Sequence, residues 1–212
     1  MTDARDVIAA RAARELRSGE VVNLGIGIPN RIPGFLDPAV ELFLHTENGL
    51  LGVGPRPADG EVDRELIDAG KRPITLARGA AAFDSAASFA MIRGGHIDAV
   101  VLGALEVSEA GDIANWKIPG GKALGVGGAM DLVTGARRVI VTMTATTPEG
   151  APKLVPACTL PLTAAGVVST VITEHAVFRC EDDGLVLTEL LDGATEADVA
   201  AETSARYRVA LG

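Results

Sequence analysis

The chain has 212 residues, with 19 Lys and Arg against 28 Asp and Glu for a formal net charge of -9, and it is 48% hydrophobic but only 3% aromatic. That supply supports a sizeable core of Val, Leu, Ile and Ala, while the acidic balance and the scarcity of aromatics exclude phosphate-backbone binding and base stacking as the main task. No apolar run approaches the roughly 20 residues of a membrane span, and the polar start Met1-Thr2-Asp3-Ala4-Arg5-Asp6 is unlike a secretion signal. A cytoplasmic, soluble protein without membrane or nucleic-acid partners is the expectation.

In chain order, Thr2 or Asp3 caps a predicted helix running to Arg17, which Ser18-Gly19 stops. Val21-Val22-Asn23-Leu24 predicts a short buried strand. Gly25-Ile26-Gly27-Ile28-Pro29-Asn30 predicts a tight glycine loop, with Pro29 in the first turn of a following helix. Val40 to His45 predicts a second strand, and Glu47 falls just past its end. Gly52 to Gly70 reads as mixed loop and short helix, and Ile74-Thr75-Leu76 as a short strand. Asp84 or Ser85 caps a predicted helix ending at Arg93-Gly94-Gly95. Asp98 to Gly103 is a nearly continuous apolar strand of the doubly covered, parallel kind. A short helix is predicted over Ala129 to Thr134 and a buried strand over Arg138 to Met143. Val167 to Thr173, Ala176 to Arg179 and Leu185 to Leu190 are β-rich, with Asp182-Asp183-Gly184 as a hairpin turn. Ala194 to Thr203 predicts a closing helix. The pattern is that of one α/β domain over residues 1–212, a mainly parallel sheet flanked by helices with a small antiparallel section.

Motifs for common cofactors are weak. Gly25-x-Gly27 follows a strand, but Asn30 stands where a dinucleotide loop has its third glycine. Gly120-Gly121-Lys122-Ala123 lacks the hydroxyl residue that follows the lysine of a P-loop. Both equally read as tight turns or as room for a large ligand to approach the backbone. His45, His96 and His175 have no metal-ligand spacing and read as structural, so no metal is expected. Cys158 and Cys180 read as buried thiols in a reducing compartment rather than a disulfide.

Glu47 stands out. It lies in Leu44-His45-Thr46-Glu47-Asn48-Gly49-Leu50-Leu51-Gly52, between an apolar run and a glycine-rich stretch. Asn48-Gly49 alone satisfies a turn. A carboxylate flanked by small residues at a strand exit suits a nucleophile that a bulky substrate must approach closely, although a Glu beside Asn-Gly is also a common solvated turn residue.

That segment resembles the glutamate signature of the 3-oxoacid coenzyme A-transferases, specifically their B (β) subunit. Val22-Asn23-Leu24-Gly25-Ile26-Gly27-Ile28-Pro29 resembles the family's N-terminal glycine loop. Ser88-Phe89-Ala90-Met91-Ile92-Arg93-Gly94-Gly95-His96-Ile97-Asp98, Leu102-Gly103-Ala104 and Ala114-Asn115-Trp116 are similar to its central blocks. Gly127-Gly128-Ala129-Met130-Asp131-Leu132-Val133 and Cys158-Thr159-Leu160-Pro161-Leu162-Thr163 follow in the family's order.

The resemblance implies a ping-pong transfer through a glutamyl-CoA thioester on Glu47, with coenzyme A as substrate and no metal or redox cofactor. It implies that a backbone amide at Gly128 stabilises the oxyanion, with Gly127 shaping the loop; the same glycines also read as a plain helix start. Asn48, Gly49, Gly25 and Gly27 become candidates for the substrate or CoA site. A partner A (α) subunit is implied, in an α2β2 assembly, with succinyl-CoA as donor and acetoacetate or 3-oxoadipate as acceptor. The second carboxylate of 3-oxoadipate calls for a cation, with Arg31, Arg56, Lys71, Arg93 and Lys117 as candidates. The chain departs from the family at Thr144-Ala145-Thr146-Thr147, at Lys117 to Lys122 and at Ala80 to Ala82 before Phe83, which bears on substrate identity. An acyl-CoA hydrolase using the same glutamate, or a non-catalytic ligand-binding subunit, are the alternatives.

Overall fold

The computed structural model describes residues 3–117 and 125–212. The elements are α1 (Ala4–Ala13), β1 (Val21–Leu24), a 3-10 segment (Pro29–Phe35), β2 (Phe43–Thr46), β3 (Leu50–Val53), β4 (Leu76–Ala82), α2 (Ser85–Arg93), β5 (Ala99–Leu102), β6 (Glu106–Ser108) and β7 (Ile113–Ala114). There follow α3 (Ala129–Gly135), β8 (Val139–Thr142), β9 (Leu154–Val155), β10 (Thr170–Ile172), β11 (Ala176–Glu181), β12 (Gly184–Leu190), α4 (Glu196–Glu202) and β13 (Tyr207–Val209).

Ten strands form one sheet in the order β13-β12-β11-β10-β8-β5-β1-β2-β3-β4. Its centre, from β10 to β2, is parallel. Antiparallel strands flank it on both sides, β3 and β4 beyond β2, and β11 and β12 beyond β10. The late antiparallel section was expected; the one next to Glu47 was not. Residues 52–70, expected to include a short helix, hold the end of β3 and then loop. The reason is not local: Leu50 and Leu51 pair with Ala82 and Ala81, a contact between segments some thirty residues apart. A second sheet, β7-β6-β9, and the last strand β13 were also unanticipated.

The central strands are buried on both faces, as their apolar runs require. Val22, Ala99, Val101, Ile140 and Ile172 pack towards α1, against Ile8, Ala9 and Ala12. Val100, Leu102, Val139 and Val141 face the other way, towards Ile92 of α2 and Leu132 and Val133 of α3. The alternation follows the two-residue period of a strand. Asp3 caps α1 by accepting from Arg5 N, and Asp84 caps α2 by accepting from Ala87 N. The first helix ends at Ala13 rather than Arg17 because Glu15 N and Leu16 N bond three residues back, to Ala12 O and Ala13 O. Ile140→Ala, at a fully buried position facing α1, is expected to lower the unfolding free energy by about 2–5 kcal/mol in urea titration. A loss below about 1 kcal/mol would mean that this face of the sheet repacks freely.

Candidate active site

β1 lies between β2 and β5. The chain passes from β1 to β2 on one side, then returns across β1 to β5 and β8 on the other. Such a reversal leaves a crevice at the carboxyl ends of the parallel strands, where open α/β sheets bind ligands. A cleft of about 1260 Å³ opens there. Its walls include Gly25 and Ile26 after β1, Thr46 and Glu47 after β2, Gly103 and Ala104 after β5, and Gly125 to Ala129 at the start of α3.

Glu47 occupies the turn between β2 and β3, which Gly49 N closes by donating to Thr46 O at 3.0 Å. Gly49 has φ +116°, and a Cβ there would stand 2.1 Å from Phe83 O, so only glycine fits. Thr46 Oγ1 donates to Asn48 Oδ1 at 2.8 Å and accepts from Ala69 N at 2.9 Å, while Asn48 Nδ2 donates to Ile67 O at 2.9 Å. The turn is therefore stapled to the segment around residues 67–69. Of the expected site residues, Gly25, Glu47, Gly127 and Gly128 line the cleft together; Gly27, Asn48 and Gly49 are not among its lining residues. Gly128 lies beside the Glu47 side chain, since a Cβ added to it would lie 3.2 Å from Glu47 Cγ and 3.3 Å from Phe89 Cζ.

Sequence reasoning missed what holds Glu47 from below. The parallel register sets Asn23 beside His45. Asn23 Nδ2 contacts Glu47 Oε2 at 3.3 Å and His45 Nδ1 at 3.2 Å, and His45 Nε2 contacts Ser88 Oγ at 3.0 Å. Asn23, His45 and Ser88 are 2%, 3% and 0% exposed. The available signal was Asn23 itself, a polar residue in an otherwise apolar strand, which must find buried partners.

Burial pushes the His45 imidazole down to about 4 from its ordinary 6.5. Stability linked to this group is fully present above pH 6.5. It is lost as the pH falls through about 4, because the unfolded chain takes up the proton first. Screening allowed for, the loss is on the order of 2 kcal/mol. Urea titrations at neutral and acidic pH should show wild type losing that much more than His45→Gln; parallel losses would contradict the assignment.

The cations differ in availability. Arg31 is bound by Asp3 and Asp6, Arg93 by Asp131, and Lys117 lies over the Trp116 ring. Arg56 lines the cleft, as does Arg72, which was not among the candidates and is held by Asp68 at 2.6 Å. Lys71 has φ +62° in the turn between Ile67 and Pro73, which form an isolated antiparallel bridge. Among the described residues no group of three His, Cys, Asp or Glu is placed to hold a metal. None of their helices is long and apolar enough to cross a membrane. Cys158 and Cys180 are free but only partly buried, with thiols pushed up to about 11 and about 12, chiefly by desolvation. Gly120-Gly121-Lys122-Ala123 and the rest of residues 118–124 lie outside the described residues.

The profile of the family described as Coenzyme A transferase matches residues 5–202. The chain is 49% identical over 209 residues to the B (β-type) chain of the probable succinyl-CoA:3-ketoacid coenzyme A transferase of Bacillus subtilis, covering 99% of this chain and 97% of that one. It is 49% identical over 208 residues to the β subunit of the acetate CoA-transferase of Escherichia coli, covering 98% and 95%. Against the human mitochondrial succinyl-CoA:3-ketoacid coenzyme A transferase 2 it is 48% identical over 98% of its own length but only 40% of the relative's. Among solved structures, the acyl-CoA transferase YdiF of Escherichia coli O157:H7 superposes with a TM-score of 0.78 at 24% identity, covering 99% of this chain and 43% of that one, a likeness of fold. The same fold recurs in the decarboxylase AibA/AibB at a TM-score of 0.71 and 22% identity, so architecture does not by itself fix chemistry. Sequence similarity along almost the entire length does what architecture cannot: this chain belongs to the coenzyme A transferase family.

Proposed function

We propose that the chain is the B (β) subunit of a succinyl-CoA:3-oxoacid CoA-transferase and that Glu47 carries CoA between substrates. The observation that carries this is the place of the Glu47 carboxylate. It stands in the cleft at the strand reversal, with Asn23 behind it and Gly128 against it. A Glu47 oxygen attacks the thioester carbonyl, and the C–S bond breaks to give an acyl–glutamyl anhydride and CoA thiolate. The thiolate attacks the glutamyl carbonyl of the anhydride, releasing the first carboxylate and leaving CoA on Glu47 as a thioester. The acceptor 3-oxoacid, acetoacetate or 3-oxoadipate, reverses both steps. No step changes an oxidation state or moves a proton, so the cycle calls for no cofactor beyond CoA as substrate. Holding the acid and thioester together removes much of the entropic barrier. A backbone N–H at Gly128 is suited to meet the oxyanion that forms beside Glu47.

An A (α) subunit completes the enzyme in this reading, in an α2β2 assembly. Two facts support a partner. The chain matches only 40% of the human single-chain relative. Ile26, on the cleft wall, and Phe43 and Leu76, on strands flanking the site, are left exposed. The test is CoA release from succinyl-CoA by the assembled enzyme, with and without acetoacetate. Transfer predicts acetoacetyl-CoA formation and parallel-line ping-pong kinetics. CoA release at the same rate without an acceptor would make the protein a hydrolase, and no turnover with any acid would leave it a ligand-binding component.

A further inference from the structure

The contacts that run from Ser88 through His45 and Asn23 to Glu47 have a fixed polarity. Asn23 has two amide hydrogens, and one nitrogen faces both Glu47 Oε2 and His45 Nδ1. Turned over, the carboxamide would set its oxygen against a carboxylate oxygen and a ring lone pair. The amide therefore keeps its orientation only while His45 Nδ1 bears a lone pair. That requires the ring proton on Nε2, where Ser88 Oγ accepts it at 3.0 Å. The Phe83 ring lies nearly parallel to the imidazole, with ring centroids 6.2 Å apart. Glu47 is the one charged member of this chain of contacts.

We propose that His45, held in one tautomer by Ser88, is a positioning residue that aims the Asn23 amide at Glu47 and so fixes which carboxylate oxygen is left to attack. The inference rests on Glu47 being the acyl acceptor. His45 touches neither substrate nor the reacting atoms in this arrangement; it acts through Asn23. The oxygen bound by Asn23 is partly neutralised and anchored, and Oε1, which makes no hydrogen bond to the described residues, is free to approach the thioester carbon.

The test is steady-state kinetics of the assembled enzyme with succinyl-CoA and acetoacetate, alongside thermal unfolding. His45→Leu removes both ring contacts and is expected to lower kcat about 100-fold, with KM for succinyl-CoA unchanged, because misplacing a nucleophile by an ångström has that effect. His45→Gln offers a carbonyl to Asn23 and an N–H to Ser88, and is expected to recover kcat to within about tenfold of wild type. Ser88→Ala leaves the ring in place but frees its tautomer, with an expected loss of about tenfold. Wild-type kcat in folded His45→Leu overturns the proposal, as does His45→Gln as slow as His45→Leu. If His45→Leu does not fold, wild-type kcat in Ser88→Ala overturns it. Glu47→Gln separates the two levels. Full activity there ends the transfer reading itself, whereas its loss alongside fully active His45 variants ends only the positioning role.

Discussion

Glu47→Gln is expected to lower kcat for CoA transfer by at least about 1000-fold, while KM for the acyl-CoA stays within about threefold. The substitution is nearly isosteric. Its side-chain carbonyl can still accept from Asn23 Nδ2, the contact that Glu47 Oε2 makes at 3.3 Å. The fold and the cleft should therefore survive, and only nucleophilicity is lost, since an amide does not form the anhydride. Glu47→Asp keeps the charge but withdraws it by one methylene. Its expected loss is about 100-fold, in line with the sensitivity of a positioned nucleophile to a displacement of an ångström or so. Rapid-quench and steady-state assays of the assembled enzyme check both. Wild-type turnover in Glu47→Gln would remove the carboxylate from the chemistry.

Gly128→Val is the second large effect. A Cβ alone would lie 3.2 Å from Glu47 Cγ and 3.3 Å from Phe89 Cζ, so alanine asks both neighbours to yield by a few tenths of an ångström. Two further methyl groups push towards the Glu47 side chain and into the space where, in the proposed mechanism, the oxyanion forms. We expect Gly128→Ala to lower kcat/KM about tenfold and Gly128→Val about 100- to 1000-fold. The backbone at Gly128, at φ -85° and ψ 2°, lies at negative φ, outside the left-handed region that requires glycine. Thermal stability should therefore change little, and the activity loss should exceed any loss of folded protein. A Gly128→Val enzyme with normal kcat/KM would show that this loop stands away from the reacting carbon.

The parts of the fold that could be read from sequence are those governed by short-range rules. Val21–Leu24, Ala99–Leu102 and Val139–Thr142 are apolar runs too short for helices, and they form the parallel centre. Asp84 announced its helix by capping chemistry. β4 could not be read this way: Leu76–Ala82 is largely exposed, rich in alanine and without alternation, and it becomes a strand because β3 supplies a partner. The small sheet is built from strands of two or three residues, too short to carry a period. In the site, Glu47 was visible because a carboxylate had no folding reason to be there. The residues behind it were not. Asn23 and His45 are 22 residues apart, and His45 and Ser88 are 43 apart. Strand register and helix packing bring them together, and neither is written in local sequence. The lack of ligand spacing around His45 points only to a structural role; its position follows from the pairing of β1 with β2.

The central claim is tested most directly by trapping the covalent enzyme. The assembled protein is incubated with succinyl-CoA in the absence of acceptor acid, and one half is reduced with borohydride before both are digested and mapped by mass spectrometry. The account predicts the mass of CoA on the peptide carrying Glu47, conversion of that side chain to a primary alcohol after reduction, and neither change in Glu47→Gln. Unmodified Glu47 in an enzyme that is turning over, or a CoA adduct on a different residue, would contradict it.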